Sequence, residues 1–228
     1  MTDAVVARGL VKTFATPAEE VHVLRGADLL AAPGTLTCLF GASGSGKTTL
    51  ISILAGLLTA DGGSVELLGA DCTTLKDAEY AHLRLTRIGV VFQDHNLIMQ
   101  FTAKENIALP LVAQGLTPAE ADTEAMRCLE LVSLGELANR MPAEMSGGQR
   151  QRVGVARAIA GHKSLLLADE PTGSLDQTTT RALFATLRSL AGEHGITVLL
   201  GTHDPGAADV ADQSFDLADG RLVPHVAH

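Results

Sequence analysis

An α/β fold built on a mostly parallel sheet, with a helical lobe inserted into it, is predicted by three observations. β-rich runs and helical patterns alternate along much of the 228 residues, as strands joined by crossover helices do. A glycine-rich loop at residues 41–48 lies between one such strand and a helix. Residues 93–144 interrupt the alternation with helical patterning alone.

In chain order, the first 70 residues hold short β-rich runs at 4–11, 21–24, 35–40 and 64–68, separated by Gly, Pro and acidic turn residues. A helix is predicted over 47–58, because Leu50, Ile51, Ile53, Leu54 and Leu57 keep helical spacing. After a strand at 88–92, two capping boxes open helices, Thr102 with Glu105 and Thr117-Pro118 with Glu120. Ser146 with Gln149 forms a third, opening a helix over 150–160. Strands at 165–168 and 196–200 flank a helix over 178–191, with Gly192 near its C-terminal end. Asp219-Gly220, between runs 215–218 and 221–223, is a two-residue hairpin signal. The expectation is one domain over 1–228, made of 1–92 and 145–228 with 93–144 as the helical insert.

Composition narrows the function classes. Hydrophobic residues make up 46% of the chain and charged residues 19%, enough for a buried core and unlike a disordered protein. The net charge of -9 argues against nucleic acid as the main partner, since phosphate-backbone binding needs clustered Lys and Arg. Cys38, Cys72 and Cys128 are odd in number and fit no metal spacing, which suggests buried, reduced thiols in a cytosolic setting. Residues 1–12 lack a signal-peptide pattern, and the apolar runs 50–60 and 164–168 are too short to span a bilayer. Any membrane role is expected to come through a partner.

Gly41-Ala42-Ser43-Gly44-Ser45-Gly46-Lys47-Thr48 satisfies G-x-x-x-x-G-K-[ST]. Its glycines let successive backbone N–H groups turn toward one phosphate chain, where side chains would obstruct the anion. The helix beginning near Lys47 adds the positive end of its dipole, Lys47 adds a point charge, and the Thr48 hydroxyl can ligate Mg²⁺. Alone, this loop fits a kinase or a GTPase equally well. The apolar run 165–168 ends in Asp169-Glu170, at the sheet edge where ligands of such folds bind. Asp169 is the candidate Mg²⁺ partner and Glu170 the candidate base for an attacking water. Without the loop, two acids before Pro171 would read as a solvated strand end. Gly147 and Gly148, at the start of the helix capped by Ser146, make a second anion site, for which a one-nucleotide enzyme has no evident need.

Ser146-Gly147-Gly148-Gln149 closely resembles the signature motif of ABC ATPases. Gln93 resembles the Q-loop glutamine, Ser174-Leu175-Asp176 the D-loop, and His203 the switch histidine, all in family order. Phe14 sits where the family has an adenine-stacking aromatic. The resemblance implies a P-loop NTPase (RecA-like) core with an N-terminal antiparallel β subdomain, ATP and Mg²⁺ as cofactors, and ATP contacts from Phe14, the loop 41–48 and Thr49. It implies a head-to-tail dimer in which Ser146, Gly147, Gly148 and Gln149 complete the partner copy's ATP site. His203 would contact the γ-phosphate in cis, and Gln93 would sense Mg²⁺ or the attacking water.

Residues 20–26, 93–97 and 105–111 look like the branch that includes the lipoprotein-release, macrolide-efflux and cell-division ATPases. Members of that branch work peripherally on the inner face of the cell membrane, on permeases with few transmembrane helices. In the family the permease docks near residues 93–101; Leu97, Ile98, Met99 and Phe101 would then form a docking patch, or else pack in the core. Met145, Phe14 and Gly201 depart from the commoner residues without removing a catalytic group. The reading is an ATPase powering a permease; the alternative is a regulatory, cell-division-type subunit that transports nothing. A DNA-repair or translation protein is disfavoured by the absence of a long coiled coil or a second ATPase domain.

Overall fold

The computed structural model describes residues 3–15, 19–94 and 96–226. His95 of the 93–97 segment, and the first two residues of the amino-terminal stretch, lie outside the described residues. An antiparallel sheet begins with β1 (Val5–Ala15) and β2 (Glu20–Ala31). β2 runs well past the expected end at residue 24. Arg25, Gly26 and Asp28 weaken the local strand pattern, yet pairing with β1 continues, and the Asp28 carboxylate accepts the Gly9 amide at 2.8 Å where the register shifts.

β3 (Leu36–Phe40) leads through the loop into α1 (Lys47–Leu54). The helix ends before the expected residue 58 because Gly56 turns left-handed at φ +63 and the Gly56 and Leu57 amides fold back onto the carbonyls of Ile53 and Ser52; the Arg84 guanidinium then donates to the carbonyls of Ala55 and Gly56, each at 3.0 Å. β4 (Gly62–Leu67) and β5 (Ala70–Asp71) return to the first sheet, whose order is β2-β1-β4-β5. α2 (Asp77–Thr86) was not legible as a helix: Tyr80 is its one buried residue, so it carries no apolar stripe.

The second sheet takes β6 (Ile88–Val91), β7 (Leu165–Asp169), β8 (Thr197–Gly201), β9 (Gln213–Ala218) and β10 (Arg221–Pro224), in the order β10-β9-β3-β8-β7-β6. Its pairs are parallel except β9 with β10, joined as expected through Asp219-Gly220 with both residues at positive φ. Between β6 and β7 lie α3 (Ala103–Ala113), α4 (Pro118–Leu131) and α5 (Gly147–Ile159); α6 (Gln177–Gly192) precedes β8. The three capping boxes form at Thr102, Thr117 and Ser146.

β3, β7 and β8 of this sheet are buried on both faces, and alternation along each strand sorts the side chains. Leu36, Cys38, Phe40, Leu166, Ala168, Val198 and Leu200 face α3 to α6; Leu39, Leu165, Leu167 and Leu199 face α1 and the antiparallel sheet. Ile107, Leu111, Ala125 and Leu129 of α3 and α4 belong to the first of these clusters, so the helical segment shares the sheet's core. Each fully buried Leu or Ile contributes roughly 1.5–3 kcal/mol. All three cysteines are buried and free, and burial pushes the Cys38 and Cys128 thiols up to about 12. Among the described residues no helix is long and apolar enough to cross a membrane.

Candidate functional site

The sheet fixes where the chemistry can sit. β3, β6, β7 and β8 run parallel, and the loop 41–48, Gln93, Glu170 and His203 each follow the carboxyl end of one of them. A cavity of about 270 Å³ there is lined by Val23, Ser43, Gly44, Gly46, Lys47, Thr48, Thr49, Gln93 and Glu170.

Gly46 stands at the N-terminus of α1 with φ +109, and a Cβ there would come 2.8 Å from Val23 Cγ1, so only glycine fits. No side chain caps this helix and its first turn carries no acid. Its dipole and free amides therefore face the cavity, as an anion site requires. Lys47 is buried. Its Nζ donates to the carbonyls of Gly41 at 2.6 Å and Ala42 at 3.3 Å and pairs with Glu170 Oε1 at 3.2 Å.

Asp169, the last residue of β7, lies beneath the cavity. Burial holds its carboxyl above the ordinary range, the Glu170 charge adds to this, and a hydrogen bond from Thr48 opposes it. Its Oδ1 is buried without a hydrogen-bond partner. An orphaned carboxylate oxygen beside a hydroxyl and a phosphate-type loop suits a divalent cation that takes its other ligands from phosphate and water. Among the described residues no cluster of three His, Cys, Asp or Glu side chains could hold a metal by itself.

Glu170 adopts φ +47, a left-handed backbone uncommon outside glycine, held by its amide's bond to Gly201 O at 2.8 Å. That bend turns its carboxylate back over the loop. Oε1 meets Lys47, and Oε2 lies 2.8 Å from His203 Nδ1. His203 is aimed from both sides: the Thr202 amide bonds Leu39 O of β3, and the Thr202 hydroxyl accepts the Asp204 amide. The Gln93 carboxamide lies against Gly173, where a Cβ would stand 2.9 Å from Nε2.

Two expected groups stand apart. Phe14 is exposed and does not line the cavity; it pairs with Val21 across the β1–β2 hairpin, and Lys12 Nζ lies 5.6 Å from its ring centroid. Ser146 to Gln149 contribute nothing to the lining. They cap α5, Ser146 Oγ accepting the Gln149 amide at 3.3 Å and Gln149 Oε1 the Ser146 amide at 2.8 Å. Gly148 packs on the Thr179 side chain so closely that a Cβ would collide with it, and Asp176 of the expected D-loop holds that threonine, accepting from its amide at 3.0 Å and its hydroxyl at 2.7 Å. Of the expected patch, Met99 is exposed while Leu97 packs on the core; the buried Asn106 pins this loop through Ile98 and Phe101.

Sequence reasoning missed Val23. Nothing local marks it, since only the folding of β2 over the loop brings it to Gly46. A larger cleft of about 720 Å³ beside Gln114, Glu120, Glu124 and His162 offers no such convergence: Glu120 is bonded to Thr117 and Glu124 to Arg127.

Comparison with known proteins agrees with this geometry. The ABC transporter family model matches residues 24–173. The lipoprotein-releasing system ATP-binding protein LolD 2 of Caulobacter vibrioides is 43% identical over 223 residues, covering 97% of this chain and 98% of that protein. The macrolide export ATP-binding/permease protein MacB of Marinobacter nauticus is 41% identical over 214 residues, 94% of this chain but 33% of that larger protein. The ATP-binding cassette MJ0796, in a dimeric post-hydrolysis state bound to ADP and Pi, superposes with a TM-score of 0.86 at 35% identity, over 96% of each chain. A phosphate loop, an acid pair and a histidine converging on one sheet edge, with a family match across most of the chain, leave one assignment: this chain belongs to the ABC transporter family, as an ATP-binding and ATP-hydrolysing cassette.

Proposed function

We propose that the chain powers a membrane permease of the lipoprotein-releasing or macrolide-export kind, by closing head to tail with a second copy around two ATP molecules. The observation that carries this is the split site. Lys47 and Glu170 line one cavity and His203 reaches it through its 2.8 Å contact with Glu170, whereas the glycine-bearing N-terminus of α5 neither lines the cavity nor contacts these residues. A second copy presenting Ser146, Gly147, Gly148 and Gln149 would supply the missing wall. Relatives named for both cargoes match at 41–43% identity, so the cassette itself does not separate them.

In this reading the loop amides and Lys47 bind the β- and γ-phosphates, and Val23, Val21 and Phe14 offer an apolar shelf leading outward for the base. Thr48, Gln93 and Asp169 would hold Mg²⁺, which supplies charge neutralisation on the phosphates when bound. Glu170 accepts the proton of the attacking water, and His203 orients Glu170 and the γ-phosphate. The permease would dock near residues 93–101, with Met99 exposed for contact. The test is purification from membranes with ATP hydrolysis as readout. A co-purifying permease that raises turnover is expected; a chain that hydrolyses ATP yet associates with no membrane protein would overturn the coupling.

A further inference from the structure

Gly201 ends β8 opposite Asp169, in the interior of a buried parallel sheet where side chains with branched Cβ atoms normally pack. Its φ lies outside the left-handed region, so the backbone does not demand glycine. The surroundings leave little room for a side chain. A Cβ at this position would stand 2.7 Å from Ile51 Cδ1, 3.2 Å from Asp169 Oδ1 and 3.7 Å from Lys47 Cβ. The same residue's carbonyl accepts the Glu170 amide at 2.8 Å, the bond that holds the left-handed bend at Glu170. One residue without a side chain thus bonds Glu170 through its carbonyl and leaves the space beside Asp169 and Lys47 open.

Resting on the functional reading above, we infer that Gly201 is a positioning residue. The space its absent side chain leaves sets how deep the Asp169 carboxylate sits beneath Thr48 and Lys47. Ile51 is fully buried, so its tip has little room to retreat when a methyl group is added, whereas the Asp169 carboxylate lies beneath the open cavity. The tip of Ile51 can turn away only at the cost of its own packing. The Asp169 carboxylate yields by moving toward the cavity, out of its place for a cation held with the nucleotide.

The test compares Gly201→Ala, Ile51→Val and the double variant in the full chain, with a fluorescent ADP analogue titrated in the presence and absence of Mg²⁺. Wild-type protein is expected to bind more tightly with Mg²⁺. In Gly201→Ala the Mg²⁺-dependent gain should fall by about tenfold, the scale seen when a residue supporting a metal ligand is altered. Binding without Mg²⁺ should stay within about twofold, as at an independent site. Ile51→Val removes only Cδ1 and gives the new methyl group room, so the double variant should recover most of the gain, although two core changes together would lower the melting temperature. A Gly201→Ala protein with unchanged Mg²⁺ dependence, with equal loss in both conditions, or with no recovery on adding Ile51→Val overturns the inference. A wild-type chain that binds no nucleotide overturns the functional reading as well, so the two failures are distinguishable.

Discussion

Lys47 Nζ stands 3.2 Å from Glu170 Oε1, with the two side chains 4% and 18% exposed. The cation proposed to receive phosphate and the carboxylate proposed to receive a proton are therefore paired with each other across the cavity. His203 holds the other carboxylate oxygen at 2.8 Å, so Glu170 is anchored at both ends. On the proposed reading, a polyphosphate entering the loop would compete with Glu170 for Lys47 and would free that carboxylate oxygen to face water.

Glu170→Gln and Glu170→Asp test that competition. Glu170→Gln is expected to lower ATP turnover by about 10²–10⁴, the usual worth of a general base. It should also raise ADP affinity by roughly fivefold, about 1 kcal/mol, because Lys47 no longer has a charged rival. Glu170→Asp keeps the charge but falls one methylene short of Lys47, and should raise ADP affinity to a similar extent. Calorimetric titration with ADP separates the cases: wild-type affinity in Glu170→Asp would mean that net charge, not the ion pair, sets the effect.

Lys47→Ala removes both the phosphate partner and the bonds to the Gly41 and Ala42 carbonyls. Loss of a charge-assisted hydrogen bond costs about 1.5–3 kcal/mol, so ATP affinity is expected to weaken by roughly 10- to 100-fold. Equilibrium binding of a fluorescent ATP analogue reads this directly, and unchanged affinity would remove Lys47 from the site.

Ser146→Ala deletes an N-cap, at a cost near 1 kcal/mol in thermal or denaturant unfolding. Binding of ATP to the single copy should stay within about twofold, since Ser146 is not part of the cavity lining. ATP-driven pairing of Glu170→Gln chains should nevertheless fall when Ser146→Ala is added. Light scattering that finds full pairing would count against the signature acting on a partner's nucleotide.

Lys163 provides a pH test away from the site. It is 8% exposed; burial, reinforced by the nearby Arg157 charge, lowers its pKa from 10.5 to about 8. The folded chain then binds fewer protons here than the unfolded chain between about pH 8 and 10.5, so this group's contribution to stability rises with pH across that window. Below it the full penalty remains, roughly 3 kcal/mol by the shift. Lys163→Met is expected to raise the melting temperature at pH 7 and to lose that advantage by pH 10.5. Cys38, with a folded pKa near 12, titrates in the opposite sense in both proteins and cancels in the difference, whereas Cys128 interacts with the Lys163 charge and cancels only in part. A wild-type-to-variant gap that is flat with pH would refute the burial argument.

The order of strands and helices, the loop 41–48 and the three capped helix starts were legible because each rests on neighbours in sequence: periodicity, a capping oxygen three residues from its amide, glycines where a backbone must approach an anion. α2 escaped because one buried tyrosine makes no pattern, and the length of β2 escaped because its ladder bonds come from β1 rather than from its own propensity. The family was readable from Ser146 to Gln149 for the same local reason.

What tertiary structure alone decided is contact between residues far apart in the chain. Glu170 reaches Lys47 and His203 only because β3, β7 and β8 lie side by side and because a bond to Gly201 O bends Glu170 into the left-handed region. Val23 closes the loop only through the fold of β2, and Gly201 acquires its meaning from Ile51 and Asp169, neither of which is near it in sequence. Sequence determines which groups can bind charge; packing determines which charges meet, because a distance of 3 Å is set by whole strands and not by spacing along one of them.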